Sequence, residues 1–197
     1  MVTPVVRAFI AIEVSPDIHR RMEEAVAPLR AKLAGLPVRW VAVDNIHLTL
    51  KFLGETSTSN VPILQSMLQN VAAGQAPFEI NVGELGAFPS LNRPRVIWIG
   101  VRAPQELFNL QRRIEAETEH LGYPREQREF SPHLTLGRIS RNASPAEVRQ
   151  IGEALAAYRI GELGVVQVES VTLYRSELRP SGAVYTPLFI AELSSLS

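Results

Sequence analysis

The sequence predicts an α+β fold of two lobes, each an antiparallel sheet with helices, related by a pseudo-twofold axis and separated by a cleft. Three observations predict it. The order strand–helix–strand–helix–strand occurs twice along the chain. The tetrapeptide His-Leu-Thr-Leu stands on the middle strand of each copy, at residues 47–50 and 133–136. The composition is that of an ordinary globular protein, 46% hydrophobic and 20% charged. Two such units usually close around a twofold, which brings equivalent strands face to face. A doubly wound parallel sheet is not expected.

The elements follow in order. Val5 to Val14 is apolar and rich in β-branched residues, a buried strand. Ser15-Pro16-Asp17 opens a helix with a serine cap, a first-turn proline and an acid at the positive dipole end. It runs to about Ala34 and stops before Gly35-Leu36-Pro37. Arg39 to Val43 reads as a short strand and Ile46 to Gly54 as a main one. Ser57 or Thr58 opens a helix to about Ala73, and Phe78 to Leu85 is a strand. Gly86 to Pro94 is a loop by its turn residues. Arg95 to Val101 is a strand, Pro104 to about Leu121 a helix, and Phe130 to Ile139 contains a strand. Ser144-Pro145-Ala146-Glu147 is a capping box for a helix ending near Tyr158. Val165 to Tyr174 and Ala183 to Leu193 are strands, joined by a hairpin turn at Arg179-Pro180-Ser181-Gly182.

The 197 residues fit a single bilobal domain over 1–197, with repeats at approximately 5–85 and 95–193. Lys+Arg and Asp+Glu both number 20, so the chain lacks the basic excess of a protein that coats nucleic acid. Any such contact must be a local patch. The absence of cysteine excludes disulfides, zinc–thiolate sites and a cysteine nucleophile. The apolar run from Ala8 to Ile12 is too short for a signal sequence, and no stretch approaches a membrane span. A soluble, unprocessed, cytoplasmic protein is expected, acting as a monomer.

The chain has four histidines, and two of them begin the repeated tetrapeptide. Side chains alternate along a strand. His47 and Thr49 therefore share one face while Leu48 and Leu50 share the other; His133 and Thr135 are likewise set against Leu134 and Leu136. Two imidazoles and two hydroxyls are sufficient to open a strained phosphodiester. A neutral histidine takes a proton from water, and a protonated one gives a proton to the leaving oxygen. Histidine suits both roles because its ordinary pKa is about 6.5. The threonines can donate to non-bridging phosphate oxygens. A lone histidine on a strand is more often just a satisfied, part-buried side chain. The same four residues at equivalent points of a repeat are hard to explain that way. No metal or cofactor is expected: Asp44 and Glu129, the nearest acids in sequence, lie outside the register of ligands.

The pattern resembles the 2H phosphoesterases, and within them the RNA 2′,3′-cyclic phosphodiesterases, also called 2′-5′ RNA ligases. The resemblance spans nearly the whole chain. It runs from Arg7-Ala8-Phe9-Ile10-Ala11-Ile12 through Trp40-Val41 and Asn45-Ile46-His47-Leu48-Thr49-Leu50-Lys51-Phe52-Leu53-Gly54-Glu55. It continues in Pro94-Arg95-Val96-Ile97-Trp98, Pro132-His133-Leu134-Thr135-Leu136-Gly137-Arg138, Ser176-Glu177-Leu178 and Gly182-Ala183-Val184-Tyr185. It implies the bilobal fold and metal-independent hydrolysis of RNA 2′,3′-cyclic phosphate ends to 2′-phosphomonoesters. For some members it also implies joining of tRNA halves through a 2′-5′ bond without ATP. It makes His47 the proton donor and His133 the proton acceptor, an order that the symmetry of the motifs leaves open. It assigns Arg138 to phosphate, although strand parity puts Arg138 on the leucine face unless the strand ends or bulges after Gly137.

Other residues are weighed singly. Arg39, Arg95, Arg125 and Arg128 are candidates for a patch that meets RNA phosphates. Phe52, Trp40 and Trp98 could stack on a base, but core packing is the expectation, most clearly for Trp98. Lys51 shares parity with His47 and could face the cleft. His19 and His120 are expected at the surface without a role. Two rival readings stay open: a 2H phosphoesterase for another cyclic nucleotide or a 2′-5′ oligonucleotide, and a module that binds RNA ends without turnover.

Overall fold

A computed structural model describes residues 4–179 and 182–195. Among these residues nine strands and four α-helices form an α+β fold. The strands are β1 (Val5–Ile12), β2 (Val38–Trp40), β3 (Leu48–Ser57), β4 (Phe78–Phe88), β5 (Val96–Arg102), β6 (His133–Ile139), β7 (Glu162–Val168), β8 (Ser170–Arg179) and β9 (Gly182–Glu192). The helices are α1 (Pro16–Lys32), α2 (Val61–Ala72), α3 (Gln105–His120) and α4 (Pro145–Ala157). Ser15 caps α1 by accepting from the Ile18 N–H, and the Ser144–Glu147 capping box closes α4, both as the sequence predicts. No described helix is long and apolar enough to cross a membrane.

The strand order is β7-β4-β5-β6-β3-β1-β8-β9, with β2 added on β6, and every pairing is antiparallel. The order is symmetrical about its centre. The motif strands β6 and β3 meet there; the first strand of each repeat, β5 or β1, comes next. The strands exchange between the two arms: β4 leaves the first repeat to pair with β5, and β8 leaves the second to pair with β1. α1 packs on β7 and α4, whereas α2 packs on β8, β9 and α3. The motif leucines Leu48, Leu50, Leu134 and Leu136 are buried beneath the helices, as alternation requires.

Three elements differ from the sequence expectation. The strand expected over Val165–Tyr174 is two strands, β7 and β8, broken at Glu169 and paired into opposite arms of the sheet. The run of Val165, Val166, Val168 and Val171 contains no turn residue to mark the break. Since β7 ends two residues before β8 starts, the sheet must curl to bring its arms close there. The expected loop at Gly86 begins later, because β4 continues to Phe88. Gly86 is there for packing: a Cβ would stand 2.1 Å from the Trp98 ring, which lies over it. The strand expected over Arg39–Val43 is only Val38–Trp40, and a 3₁₀ turn at Val43–Asn45 follows. The expected hairpin turn at 179–182 has Pro180 and Ser181 outside the described residues; its flanks pair as Arg179↔Gly182.

Candidate active site

The site is built where the two motif strands touch. β3 and β6 pair at Leu48↔Leu134. Antiparallel register then sets His47 opposite Thr135 and Thr49 opposite His133, all on the face away from the buried leucines. Each imidazole thus stands beside the other motif's hydroxyl. The two histidines are diagonal neighbours, roughly 7–8 Å apart at their backbones for such a pair, which leaves room for a phosphoryl group between the rings.

Backbone carbonyls orient both rings. His133 Nδ1–H donates to the Ser131 carbonyl at 2.7 Å, which turns Nε2 toward the cleft. His47 has the equivalent bond to the backbone of Asn45. The turn that carries His47 is held from two sides. His19 Nε2–H donates to the Ile46 carbonyl at 2.8 Å, and Asn45 Nδ2 donates to the Ala183 carbonyl at 2.7 Å. His19 therefore has a structural contact, where the sequence suggested only surface. His120 is exposed at the end of α3, as expected.

Aromatic rings wall in each histidine. Phe9 stacks on His47 at 4.7 Å and 16°, with Tyr174 at 5.7 Å and Tyr185 edge-on at 5.1 Å. Phe88 meets His133 edge-on at 4.9 Å and Trp98 lies 6.4 Å away. Trp98 is thus part of the cleft floor and not of the core, contrary to expectation. Trp40 packs against the core, with the Arg30 guanidinium 5.5 Å from its ring. The Phe9–Tyr174–Tyr185 wall was missed in the sequence, because those rings come from three strands that only the sheet order brings together.

A bulge in each motif strand decides what else faces the cleft. On β3 the register passes from Ala11↔Thr49 to Ile10↔Lys51, so Leu50 is extra; on β6 it passes from Trp98↔Thr135 to Ile97↔Gly137, so Leu136 is extra. Such a bulge reverses the parity of the residues beyond it. Lys51 turns inward, only 4% exposed, and donates to Glu115 Oε2 and to the Pro124 carbonyl, each at 2.7 Å. That corrects the expectation that Lys51 could face the cleft. Phe52 turns outward, 67% exposed, with its ring 6.3 Å from Phe9. It is therefore not a core residue. Arg138 turns out at the equivalent point of β6, and its charge reaches His133. The bulge removes the parity objection to Arg138. Arg125 is engaged with Glu119 at 2.6 Å.

Two similarities decide the family. The model of the LigT-like phosphoesterases matches residues 12–98 and again residues 99–185. The chain belongs to the LigT-like phosphoesterase family. It is 31% identical to the RNA 2′,3′-cyclic phosphodiesterase of Methanothermobacter thermautotrophicus over 95% of this chain and 99% of that one. To the Escherichia coli K12 protein of the same name it is 30% identical, over 92% of this chain and 93% of that one. Its fold matches the crystal structure of E. coli LigT complexed with 3′-AMP with a TM-score of 0.76 at 28% identity, covering 98% of this chain and all of that one. A crystal structure from Thermus thermophilus matches with a TM-score of 0.77 at 27% identity, covering 97% of this chain and 100% of that one.

The electrostatics of this LigT-like phosphoesterase site are set by burial. Burial first, and the nearby His19 second, push His47 down to about 4 against the lift from its bond to Asn45. Burial first, with the Arg138 charge adding to it, lowers His133 too, against the lift from its bond to Ser131. Both rings therefore favour the neutral form before an anion arrives. A histidine held below its unfolded value of about 6.5 stabilises the fold fully above that pH, and the stability is lost as pH falls toward about 4. For His47 the loss is about 3 kcal/mol. Urea denaturation of the wild type and His47→Phe at pH 7 and pH 4 checks this. The wild type should lose more stability than the variant by that amount, and equal losses would show that the buried ring is not the cause.

Proposed function

We propose that the chain hydrolyses RNA 2′,3′-cyclic phosphate ends to 2′-phosphomonoesters by general acid/base catalysis between His47 and His133. The observation that carries the reading is the register at Leu48↔Leu134, which sets each histidine beside the other motif's threonine. Water attacks phosphorus while His133 Nε2 takes its proton. The P–O3′ bond breaks, and His47 protonates the leaving O3′. The Thr49 and Thr135 hydroxyls and the Arg138 guanidinium hold the non-bridging oxygens, where negative charge grows. The strain of the five-membered ring lowers the barrier, so the step does not call on a metal. Among the described residues no cluster of three or more His, Cys, Asp or Glu could hold one. His47 as donor must be charged, whereas burial favours its neutral form. The anionic substrate supplies the compensating charge and draws the proton in with it.

The reading extends to RNA ends such as tRNA fragments, with 2′-5′ joining as the same ring-opening performed by the 5′ hydroxyl of a second RNA in place of water: that oxygen bonds to phosphorus, P–O3′ breaks, and O3′ takes the proton. It takes the enzyme as a cytoplasmic monomer. Its test is a panel of nucleoside and oligonucleotide 2′,3′-cyclic phosphates, 3′,5′-cyclic nucleotides and 2′-5′ dinucleotides, each with and without EDTA. The 2′,3′-cyclic ends should be turned over to 2′-phosphates equally in both conditions. A 3′-phosphate product, loss of activity in EDTA, or preference for another member of the panel would overturn it. The pH profile of kcat/KM should be a bell, because one ring must be neutral and the other charged. Its optimum should lie below pH 6.5, since both rings are lowered in the free enzyme.

A further inference from the structure

Ion pairs with nearby carboxylates hold several of the surface arginines. Arg20 and Arg21 meet Asp17, Arg30 meets Glu23, Arg125 meets Glu119, and Arg175 and Arg179 meet Glu177. One surface has arginines but no carboxylates in its own segments. The segments 33–43, 85–101 and 130–146 contain no Asp or Glu, yet they hold Arg39, Arg93, Arg95, Arg138 and Arg141, all exposed. Among the described residues Arg39, Arg93, Arg138 and Arg141 make no ion pair or side-chain hydrogen bond, and Arg95 Nη1 donates only to the Ser140 carbonyl, at 3.2 Å.

The sheet brings these segments together. β2 lies on β6 with Arg39 directly opposite Arg138, so the two guanidinium groups rise from the same face as neighbours. Val96 of β5 flanks Arg138 on its other side, and Arg95 and Arg141 stand where β5 and β6 end. Like charges opposite one another destabilise a sheet, and no carboxylate relieves this pair. An anion held between them would. Arg138 reaches toward His133 and the reacting phosphate, and Arg39 stands one strand further out.

We infer that Arg39 holds the phosphodiester on the 5′ side of the reacting end, so that the enzyme takes oligonucleotides in preference to mononucleotides. This rests on the RNA-end reading above. A nucleoside 2′,3′-cyclic phosphate has no phosphate for Arg39, whereas the 3′-terminal nucleotide of an RNA carries one at its 5′ oxygen. Arg93, Arg95 and Arg141 continue the positive rim for the phosphates beyond it.

The experiment compares kcat/KM for a nucleoside 2′,3′-cyclic phosphate with that for a dinucleotide ending in the same group. The wild type should prefer the dinucleotide, and the preference should shrink as salt is raised. Arg39→Ala should lower dinucleotide kcat/KM about tenfold, mainly through KM, and leave the mononucleotide within about twofold; Arg39→Lys should recover part of the loss. No dinucleotide preference in the wild type, or equal losses on both substrates, would overturn the inference. If the wild type turns over neither substrate, the hydrolytic reading fails and binding still tests the surface. Anisotropy of a labelled RNA trinucleotide with a 2′-phosphate end should show weaker binding by Arg39→Ala and a shallower salt dependence. Unchanged affinity would refute the assignment.

Discussion

Replacing His133 by alanine is expected to lower turnover of an RNA 2′,3′-cyclic phosphate by about 10²–10⁴-fold, the usual contribution of a positioned acid or base. His47→Ala should lose a comparable amount. The size follows from the geometry. Each ring has one nitrogen bonded to a backbone carbonyl two residues upstream, so the other nitrogen is free for the proton it must move. The double variant should be little worse than either single, because the two rings act on one transition state and their effects do not add. Steady-state rates of the three variants, with thermal melts to confirm folding, test this. A single variant that keeps wild-type turnover would remove its histidine from the mechanism.

Lys51→Met is expected to destabilise the fold by about 3–5 kcal/mol, the cost of leaving a buried charge without its partner. The Lys51 side chain is 3% exposed and the Glu115 side chain 11%. Glu115 Oε2 also accepts from the Glu126 N–H at 3.3 Å, and Lys51 also holds the Pro124 carbonyl. The pair therefore ties β3 to the segment that leads into His133. Adding Glu115→Leu to Lys51→Met should restore most of the loss, since an apolar pair of similar volume needs no compensation. Chemical denaturation of the single and double variants measures it. Losses that simply add would mean that the two groups do not interact. The stable double variant should still show a lowered kcat, because the segment before His133 has lost its anchors.

Much of the site was legible because the motif is local. Alternation alone placed Leu48, Leu50, Leu134 and Leu136 in the core and the histidines and threonines opposite them. The helix starts at Ser15 and Ser144 were legible for the same reason, since a cap is a contact over three residues. What failed was set by distant strands. The bulges at Leu50 and Leu136 exist only against β1 and β5, and nothing within the tetrapeptides announces them. They moved Lys51 inward and brought Phe52 and Arg138 out. The break at Glu169 was invisible because both of its flanks are good strand residues, although they belong to opposite arms of the sheet. Trp98 reads as core in its apolar strand, and only Gly86 across the sheet makes room for it at the cleft floor.

The central claim is that His47 and His133 divide the proton transfers, with His47 serving the leaving oxygen. The most direct measurement replaces the bridging 3′ oxygen of the cyclic phosphate by sulfur. A thiol has a pKa near about 8.5 and leaves without being protonated, so it needs no general acid. On this substrate His47→Ala should recover most of the activity it lost on the oxygen substrate, while His133→Ala should remain impaired on both. Recovery by His133→Ala alone would reverse the two roles. Equal impairment of both variants on both substrates would contradict the acid/base division altogether.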